Sequence, residues 1–367
     1  MKKILIAAGG TGGHIYPGLA IADQLKEKLP DSHITFVGSY VGMEKDIIPK
    51  YGYPMTFIRA RGFERELSLE TLAAVKGLFD SIRDSKKLLG SEKPDLVIGT
   101  GGFTCGMLVK EAAKMGIPTL IHEQNAYPGR SNRMLAKVVD RIGISFNEAR
   151  DYFPEDKVFF AGNPVRGVFK TIDRGEMRKA LHLGEDKRMV LAVGGSQGAE
   201  SINRAMVELV GKDTESDRVF YHLTGKEQYD AVCQDYAKAG IAIDGEHLRV
   251  SPFSTEMQVL IGASDLVISR SGAMSIAELA ASGTPSILIP YPMAAGDHQR
   301  VNAQAIVDLG GGIMIPDADL EGGRLMQVVE DLLADPVEME NMEAAVRAYG
   351  VVDADARIAD EAMRLMV

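Results

Sequence analysis

The feature that most constrains the fold of this 367-residue chain is a strand, a glycine loop and a helix that occur twice. An apolar run at residues 4–8 leads into the glycine-rich residues 9–13. The same succession recurs 185 positions later, where residues 189–193 lead into 194–198. Apolar residues at helical spacing follow each loop. The pattern predicts a strand, a tight turn and an amphipathic helix in each half of the chain.

A second pair of matching segments extends the resemblance between the halves. The segment Asp-Leu-Val-Ile occurs at residues 95–98 and again at 265–268. Each copy is followed by glycine, a helical pattern and another apolar strand. Continuous apolar strands that alternate with amphipathic helices are typical of parallel sheets covered on both faces. The sequence therefore predicts an α/β fold with two similar Rossmann-like domains, whose ligands bind in a cleft at the carboxyl ends of the strands.

A proline-containing segment, Gly162-Asn163-Pro164-Val165-Arg166, marks the predicted seam between the domains. We expect residues 1–161, joined by about 342–367, to form the N-terminal domain, and residues 162–341 to form the C-terminal domain. Residues 1–161 carry 22 basic and 19 acidic side chains, a net charge of +3, whereas residues 162–367 carry 19 and 32, a net charge of −13. The asymmetry predicts that the two domains face different partners.

Composition excludes several classes of protein. Apolar residues make up 46% and charged residues 25%, as in soluble globular proteins, and no apolar stretch reaches the ~20 residues that cross a bilayer. Two cysteines cannot build a disulfide framework. The net charge of −10 argues against general nucleic-acid binding, so we expect no nucleic-acid partner.

Glycine loops between a strand and a helix let backbone N–H groups approach a phosphate. Neither loop has the G-x-G-x-x-G spacing of a dinucleotide site, and the second strand ends in Gly38-Ser39 without the acid that binds a ribose. A P-loop is also absent from the sequence. The two loops therefore indicate two sites for a diphosphate, and their spacing disfavours both NAD binding and nucleoside triphosphatase activity. The alternative is that the glycines only form tight turns needed for packing.

His14 directly follows the first glycine loop, where a side chain of near-neutral pKa suits a general base. A capping or packing role is the alternative. We expect no metal site, because His122-Glu123 lacks a second histidine at helical spacing. Two Asp-Ala-Asp triplets could in principle offer carboxylates to Mg²⁺. The one at 317–319 is explained more simply by a helix N-cap at Asp319, and the one at 353–355 lies in the C-terminal tail.

Six motifs, in this order along the chain, carry a resemblance to a known family. They are Gly9-Gly10-Thr11-Gly12-Gly13-His14 with Pro17-Gly18, His122-Glu123-Gln124-Asn125, Gly162-Asn163-Pro164-Val165-Arg166, Gly194-Gly195-Ser196-Gln197-Gly198, Ser269-Arg270-Ser271-Gly272-Ala273 with Glu278, and Asp297-His298-Gln299 with Asn302-Ala303. Over essentially its whole length, the chain closely resembles the bacterial UDP-N-acetylglucosamine:N-acetylmuramyl-(pentapeptide) pyrophosphoryl-undecaprenol N-acetylglucosamine transferases.

The resemblance implies a GT-B fold and inverting glycosyl transfer that requires no metal or other cofactor. UDP-N-acetylglucosamine would donate its sugar to the muramyl 4-hydroxyl of lipid I, forming lipid II in peptidoglycan synthesis. The implied enzyme is a hexosyltransferase that works at the cytoplasmic face of the bacterial cell membrane as a peripheral protein.

The resemblance also implies a set of site residues. The implied substrate-binding residues are Thr11, Gly12, Gly13, Asn125, Arg166, Ser196, Phe253, Ala273, Met274, Ser275, Ile276, Ala277, Glu278, His298, Gln299 and Asn302. Glu278 would accept both ribose hydroxyls, Ser196 would face the diphosphate and Arg166 would neutralise the leaving group. Phe253 would line the uracil, while His298, Gln299 and Asn302 would hold the sugar. Some relatives have two glutamines where this chain has His298-Gln299.

His14 is the favoured catalytic base, with Glu123 as a second candidate for base or orienter. Other functions remain open at this stage. A UDP-sugar 2-epimerase shares the two-domain architecture, another lipid glycosyltransferase is the nearer rival, and a non-catalytic nucleotide-sugar sensor is a third alternative.

Residues 68–89 predict an amphipathic helix with apolar and basic groups on one face. The residues on this face are Leu72, Val75, Lys76, Phe79, Arg83, Lys86 and Lys87. A core-facing helix with solvated flanks is the alternative. Because the implied acceptor is lipid-linked and the N-terminal domain is basic, we expect this face to bind an anionic membrane surface.

Overall fold

A computed structural model describes residues 1–59, 70–195, 197–215, 217–320 and 322–367, with the side chains of the helix that begins at residue 70 described from residue 77 onward. The chain forms two compact units. Unit 1 contains residues Met1–Arg166 and Asp353–Val367, and unit 2 contains residues Gly167–Val352.

Unit 1 contains one parallel sheet and the helices that cover it. Its strands are β1 (Lys3–Ala8), β2 (His33–Ser39), β3 (Met55–Ile58), β4 (Leu96–Gly101), β5 (Thr119–Glu123), β6 (Arg141–Ile144) and β7 (Val158–Phe160). Its helices are α1 (Gly12–Lys28), α2 (Glu44–Ile47), α3 (Glu70–Glu92), α4 (Gly102–Lys114), α5 (Arg130–Leu135) and the C-terminal helix, which is numbered α14 (Ala354–Leu365). Short 3₁₀ helices occupy Ile48–Tyr51, Asn147–Tyr152 and Glu155–Lys157.

Unit 2 repeats the plan with a shorter sheet. Its strands are β8 (Arg188–Val193), β9 (Arg218–Leu223), β10 (Leu248–Ser251), β11 (Leu266–Ser269), β12 (Ser286–Leu288) and β13 (Gly312–Met314). Its helices are α6 (Arg174–Ala180), α7 (Glu200–Lys212), α8 (Tyr229–Lys238), α9 (Met257–Ala263), α10 (Ala273–Ser282), α11 (His298–Val307), α12 (Arg324–Ala334) and α13 (Pro336–Tyr349). Short 3₁₀ helices occupy Gly167–Thr171, Ala295–Asp297 and Asp317–Asp319.

The first six strands of the unit 1 sheet and the six strands of the unit 2 sheet follow the same order. In the described part of unit 1 the order is β3-β2-β1-β4-β5-β6-β7, and in unit 2 it is β10-β9-β8-β11-β12-β13, with parallel pairing throughout. Each is the 3-2-1-4-5-6 order of the Rossmann fold, whose strand order reverses between the first and fourth strands. The predicted parallel α/β architecture is confirmed in each unit. The glycine loops follow β1 and β8, the strands beside each reversal point.

Apolar strands are buried on both faces, as the continuous Val/Ile/Leu runs predict. In β1, Ile4 and Ile6 pack on the side covered by α1 and α14, while Leu5 and Ala7 pack on the side covered by α4. Ile358, Ala359 and Ala362 of α14 complete the first of these clusters. The last helix therefore belongs to the core of unit 1.

The structure draws the second boundary between the units later than the predicted residue 342. Helix α13 packs on α10 and stays in unit 2. Its Val346 lies so close to Gly311 that a Cβ there would come within 3.1 Å. Only residues from 353 onward rejoin unit 1, where Lys28 forms an ion pair with Asp360 and Lys2 donates to the Met366 carbonyl at 2.7 Å.

Candidate active site

His14 lies in the first turn of α1, directly after the glycine loop of unit 1. Its backbone N–H and that of Ile15 donate to the Thr11 carbonyl, and no side chain caps the helix. The first turn also contains no acidic residue. This N-terminus therefore keeps the N–H groups and the favourable dipole with which helices bind anions.

The imidazole of His14 is held in one tautomer. Its Nδ1 lies 3.0 Å from the Gly9 carbonyl oxygen, and a carbonyl can only accept, so Nδ1 carries the proton. Thr11 Oγ1 lies 3.4 Å from the same nitrogen. In the neutral ring, the lone pair that takes up a proton is consequently at Nε2.

The junction between β4 and α4 forms a backbone surface against this ring. Gly101 has φ +120° and Gly102 has φ +85°, which favour glycine. A Cβ on Gly101 would lie 2.5 Å from Cδ2 of His14, and one on Gly102 would lie 2.5 Å from the Gly9 oxygen. The Thr100 hydroxyl donates to the His14 carbonyl at 2.8 Å. Glycines of the first loop and of the β4–α4 junction thus surround one histidine.

Glu44 is a buried carboxylate beneath the first loop. Its Oε2 accepts from the Gly10 N–H at 3.0 Å, and its Oε1 accepts from the Ser39 N–H and hydroxyl at 2.8 and 2.9 Å. Burial by itself raises the pKa of this carboxyl, but the hydrogen bonds from Ser39 and Gly10 outweigh it and leave the pKa lowered. Glu44 is therefore an anion at neutral pH.

Glu123 ends β5 and has both carboxylate oxygens engaged. Oε1 accepts from the N–H of Asn125 at 3.0 Å and from its amide at 3.2 Å. Oε2 accepts from the Gly129 N–H at 3.0 Å and the Asn132 amide at 2.8 Å. The side chain is 2% exposed and fixes the loop that presents Asn125. These contacts are those of an orienting residue.

Beside it, a buried polar network holds the segment that carries Arg166. His122 donates from Nε2 to the Gly162 carbonyl at 2.9 Å and accepts at Nδ1 from Gln124 at 3.1 Å. The Asn163 amide donates to the Gln124 carbonyl at 2.9 Å. Burial lowers the pKa of His122 to about 4, so the ring is neutral and structural. Arg166 is half-buried at the end of unit 1.

In unit 2, the loop after β8 packs backbone against backbone on the loop after β9. Gly198 and Gly225 have φ near +86° and +85°, and a Cβ on Gly225 would lie 2.3 Å from the Gly198 nitrogen. Asn203 donates to the Thr224 carbonyl at 3.0 Å. Ser196, predicted to face the diphosphate, lies outside the described residues.

Helix α10 begins directly after the loop that follows β11. Gly272, which precedes it at the N-cap, has no side chain to cap it, and its first turn contains no acidic residue. The predicted donor residues Ala273, Met274, Ser275, Ile276 and Ala277 form its first turns, with Ile276 buried. Glu278 lies one and a half turns in, half-buried, and its carbonyl accepts from the Ser282 hydroxyl at 2.6 Å.

The predicted sugar-binding residues lie at the start of α11 and are tied to the same loop. The Ser271 hydroxyl donates to the Gln299 carbonyl at 2.8 Å, and the Asn302 amide donates to the Ser271 carbonyl at 3.3 Å. Gln299 Oε1 accepts from the Tyr291 N–H at 2.9 Å. His298 Nδ1 donates to the Ala295 carbonyl at 2.8 Å. His298 and Gln299 are partly exposed, whereas Asn302 is buried beneath them.

Phe253 follows β10 and is about half exposed at the same edge of the unit 2 sheet. The Lys226 ammonium lies 5.1 Å from the centre of its ring, in a cation–π contact. The ring is therefore available for stacking with a flat ligand.

Helix α3 presents the predicted apolar and basic face to solvent over its described side chains. Phe79 is 67% exposed, and Arg83, Lys86 and Lys87 are exposed on the same face. The side chains of Leu72, Val75 and Lys76 lie outside the described ones. Leu89, on the opposite face, is buried.

Within the described ranges, no three His, Cys, Asp or Glu side chains stand close enough together to hold a metal ion. No helix described in the structure combines the length and apolarity needed to cross a membrane.

The structure thus gathers the predicted residues at two sheet edges. His14, Thr11, Gly12, Gly13, Glu123 and Asn125 lie at the carboxyl edge of the unit 1 sheet, while Phe253, Ala273–Ala277, Glu278, His298 and Gln299 lie at that of unit 2. Sequence reasoning missed Glu44, Gly225 and Asn203. The Thr-Gly pair at 224–225 is a turn signal after a strand, whereas nothing in the sequence singles out Glu44 or Asn203.

Comparison with known proteins agrees with this arrangement. Residues 4–144 match the glycosyltransferase family 28 N-terminal domain, and residues 189–358 match the family 28 C-terminal domain. Fold and site therefore define a two-domain glycosyltransferase.

Curated relatives narrow the class. One from Acetivibrio thermocellus is 41% identical over 97% of this chain and 96% of its own length, and one from Bacillus subtilis is 37% identical over 97% of both. Each is named UDP-N-acetylglucosamine–N-acetylmuramyl-(pentapeptide) pyrophosphoryl-undecaprenol N-acetylglucosamine transferase. The chain belongs to this family of transferases, which confirms the prediction from its motifs.

Solved structures agree on the fold. MurG from Acinetobacter baumannii superimposes with a TM-score of 0.78 at 26% identity, over 99% of this chain and all of that one. A UDP-GlcNAc 2-epimerase from Neisseria meningitidis reaches a TM-score of 0.70 at 14% identity, over 99% of this chain and 100% of its own. At that identity the second match concerns the fold alone.

Proposed function

We propose that this protein transfers N-acetylglucosamine from UDP-N-acetylglucosamine to the muramyl 4-hydroxyl of lipid I, forming lipid II and UDP. The observation that carries the proposal is the 41% identity to a transferase of this name over 97% of the chain. The placement of His14 and Glu278 at the carboxyl edges of their sheets supports it.

In the proposed reaction, Nε2 of His14 takes the proton of the acceptor hydroxyl. That oxygen bonds to C1 of the sugar while the bond from C1 to the diphosphate oxygen breaks, and UDP leaves with the electron pair. Attack from the opposite face inverts the configuration and gives a β-1,4 link. The Nδ1–H tautomer of His14 supports this role, because it puts the lone pair on Nε2.

We assign Glu123 as the orienter of Asn125, since N–H donors engage both of its oxygens. On the donor side, Glu278 accepts the ribose hydroxyls and Phe253 faces the uracil. The dipole at the N-terminus of α10 and the charge of Arg166 offset the charge that develops on the leaving diphosphate. His298, Gln299 and Asn302 hold the sugar, and Ser271 ties this segment together, because its carbonyl accepts from Asn302 and its hydroxyl donates to the Gln299 carbonyl. No metal or other cofactor takes part.

The test is incubation of the purified protein with UDP-N-acetylglucosamine and lipid I, with and without EDTA, followed by measurement of lipid II and UDP. Transfer that survives the chelator is expected. A second incubation without lipid I monitors epimerisation of the sugar nucleotide. Epimerisation without transfer would identify an isomerase and overturn the proposal.

We further propose that the α3 face binds the cytoplasmic leaflet, so that the enzyme reaches its lipid-linked acceptor as a peripheral protein. Exposed Phe79 beside exposed Arg83, Lys86 and Lys87 supports this, because basic groups near an anionic surface contribute ~1 kcal/mol each.

Co-sedimentation with anionic and neutral vesicles tests the membrane proposal. An Ala variant at Lys76, Arg83, Lys86 and Lys87 should bind anionic vesicles less than wild type does. A charge-matched Ala variant at four other basic residues, Lys45, Lys50, Lys137 and Lys179, should bind like wild type. If both variants lost vesicle binding equally, the binding would depend only on net charge, and the proposal of a specific membrane-binding face would be refuted.

A further inference from the structure

One peptide unit of the first glycine loop is hydrogen-bonded at both ends. Its carbonyl, that of Gly9, accepts from Nδ1–H of His14 at 3.0 Å, and its N–H, that of Gly10, donates to Oε2 of Glu44 at 3.0 Å. A single planar group therefore stands between a carboxylate and the imidazole.

The carboxylate is built into this place. Glu44 is fully buried, and glycines surround it. A Cβ on Gly9, Gly38 or Gly42 would lie within 2.9, 2.6 and 1.9 Å of its side-chain atoms. Ser39 occupies the other carboxylate oxygen with two donors, so the oxygen that bonds Gly10 is held in position. Three glycines are needed to admit one charged side chain.

A negative charge at the N–H end of a peptide group polarises it and makes its carbonyl a stronger acceptor, as in other chains of hydrogen bonds. The stronger acceptor favours the proton on Nδ1 of His14. It also stabilises the imidazolium that forms when Nε2 accepts a proton. A carboxylate bonded directly to Nδ1 has the same effect in serine proteases.

We propose that Glu44 is a positioning residue for His14, acting through the Gly9–Gly10 peptide to fix the Nδ1–H tautomer and to stabilise the protonated ring. This inference rests on the proposed function, in which His14 is the base. No proton crosses the peptide group. Glu44 touches neither substrate, and its influence ends at Nδ1.

Steady-state kinetics of four variants, each compared with wild type, test the inference. Glu44→Gln keeps the size of the side chain and removes its charge, so kcat should fall roughly 10- to 100-fold, the range seen when groups that orient metal-bound histidines are removed. KM for UDP-N-acetylglucosamine should stay near that of wild type. Asp46→Asn, which removes an equal charge at an exposed position two residues along the same helix, is the matched control and should have little effect.

The double variant separates positioning from structural support. In the His14→Ala background, Glu44→Gln should lower kcat no further, because the residue through which it acts is gone. An equal loss in both backgrounds would overturn the inference. Should Glu44→Gln fail to fold, Glu44→Asp takes its place, since its shorter side chain keeps the charge but draws back from Gly10.

Nitrogen-15 NMR of the imidazoles provides a readout without turnover. The His14→Ala spectrum identifies the His14 signals among those of the seven histidines. In wild type, Nδ1 should resonate as protonated and Nε2 as bare, and Glu44→Gln should shift the population toward the other tautomer. A wild-type ring protonated on Nε2 would overturn the inference even if transfer is observed. Conversely, a wild-type protein that makes no lipid II contradicts the proposed function and leaves the tautomer result standing.

Discussion

The glycine loops after β1 and β8 occupy equivalent places in two sheets of the same topology, yet different groups surround them. The loop after β1 rests on the charged carboxylate of Glu44 and leads to His14. The loop after β8 rests on a neutral network, in which Asn203 bonds both the Thr224 carbonyl and the Gln228 amide, and it leads into α7. Strand order alone therefore does not decide what a loop can do.

The helices that follow the two loops differ in the same sense. Helix α1 has no acidic residue in its first turn, whereas α7 begins with Glu200. A carboxylate at that position repels the anion that the dipole would otherwise attract. In unit 2, α10 likewise begins without an acidic residue in its first turn, and it contains Glu278 further along. In the proposed function, the base lies at the loop after β1 and the nucleotide binds beside the loop after β8, so one repeated fold would serve two different kinds of chemistry.

Replacement of His14 should have the largest effect. His14→Ala removes the proposed base of the unit 1 loop, and such losses typically lower rates by ~10² to 10⁴. Steady-state turnover with lipid I measures it, with circular dichroism as the folding control. A folded variant with wild-type turnover would show that His14 is not the base, and the proposed chemical difference between the two loops would be wrong. Glu123 would then be the next residue to replace.

Glu278→Ala should come second. Loss of a charged hydrogen-bond acceptor costs ~1.5 to 3 kcal/mol, so kcat/KM for UDP-N-acetylglucosamine should fall about 10- to 150-fold. Glu200→Ala, an exposed carboxylate in the first turn of α7, is the matched control and should not lower it. Equal losses in the two variants would contradict a donor site centred on α10.

Gly101→Ala tests whether the junction between β4 and α4 shapes the histidine site. The new Cβ would come within 2.5 Å of the His14 ring, and a displacement of about 1 Å in a reacting group can lower rates by up to ~100-fold. Gly52→Ala, at φ +80° with open space around it, introduces similar backbone strain away from the site. Turnover should fall in the first variant and persist in the second; equal turnover would show that His14 tolerates the crowding.

The smallest effect concerns one buried histidine in each unit. Burial lowers the pKa of His122 to about 4 and that of His222 to about 3. The unfolded chain binds these protons near pH 6.5, so the stability from each neutral ring is complete above pH 6.5. It falls with pH by up to about 2 kcal/mol per histidine at pH 5. Below about pH 4, only the contribution of His222 to the free energy of unfolding continues to fall.

Urea unfolding between pH 7.5 and pH 5 measures this loss of stability. His222→Gln should flatten the pH dependence of the free energy of unfolding, whereas His33→Gln, at an exposed position, should not. An unchanged slope in His222→Gln would mean that the acid sensitivity arises from other groups.

The sequence was sufficient to predict the repeated units, because continuous apolar runs and glycine punctuation reflect local rules of strand, turn and helix. It placed His14 beside its loop for the same reason. It did not predict that α13 stays in unit 2, since the pattern of a helix does not say which neighbour covers it. Nor did it find Asn203, whose contacts with Thr224 and Gln228 span 21 and 25 positions along the chain.

By itself, the sequence determined the two parallel sheets, the positions of both glycine loops and, through its motifs, the family. Only the tertiary structure decided which groups surround the carboxylates of Glu44 and Glu123. Glu123 and Glu44 are both acidic residues near the end of a strand, and the sequence alone does not distinguish them. In the folded chain, Glu123 accepts hydrogen bonds from its own loop, from Asn125 and Gly129. Glu44 instead accepts from the N–H of Gly10, which lies 34 residues earlier in the sequence. The reason is physical: a carboxylate's protonation and partners depend on the donors within about 3 Å in space, which sequence order does not specify.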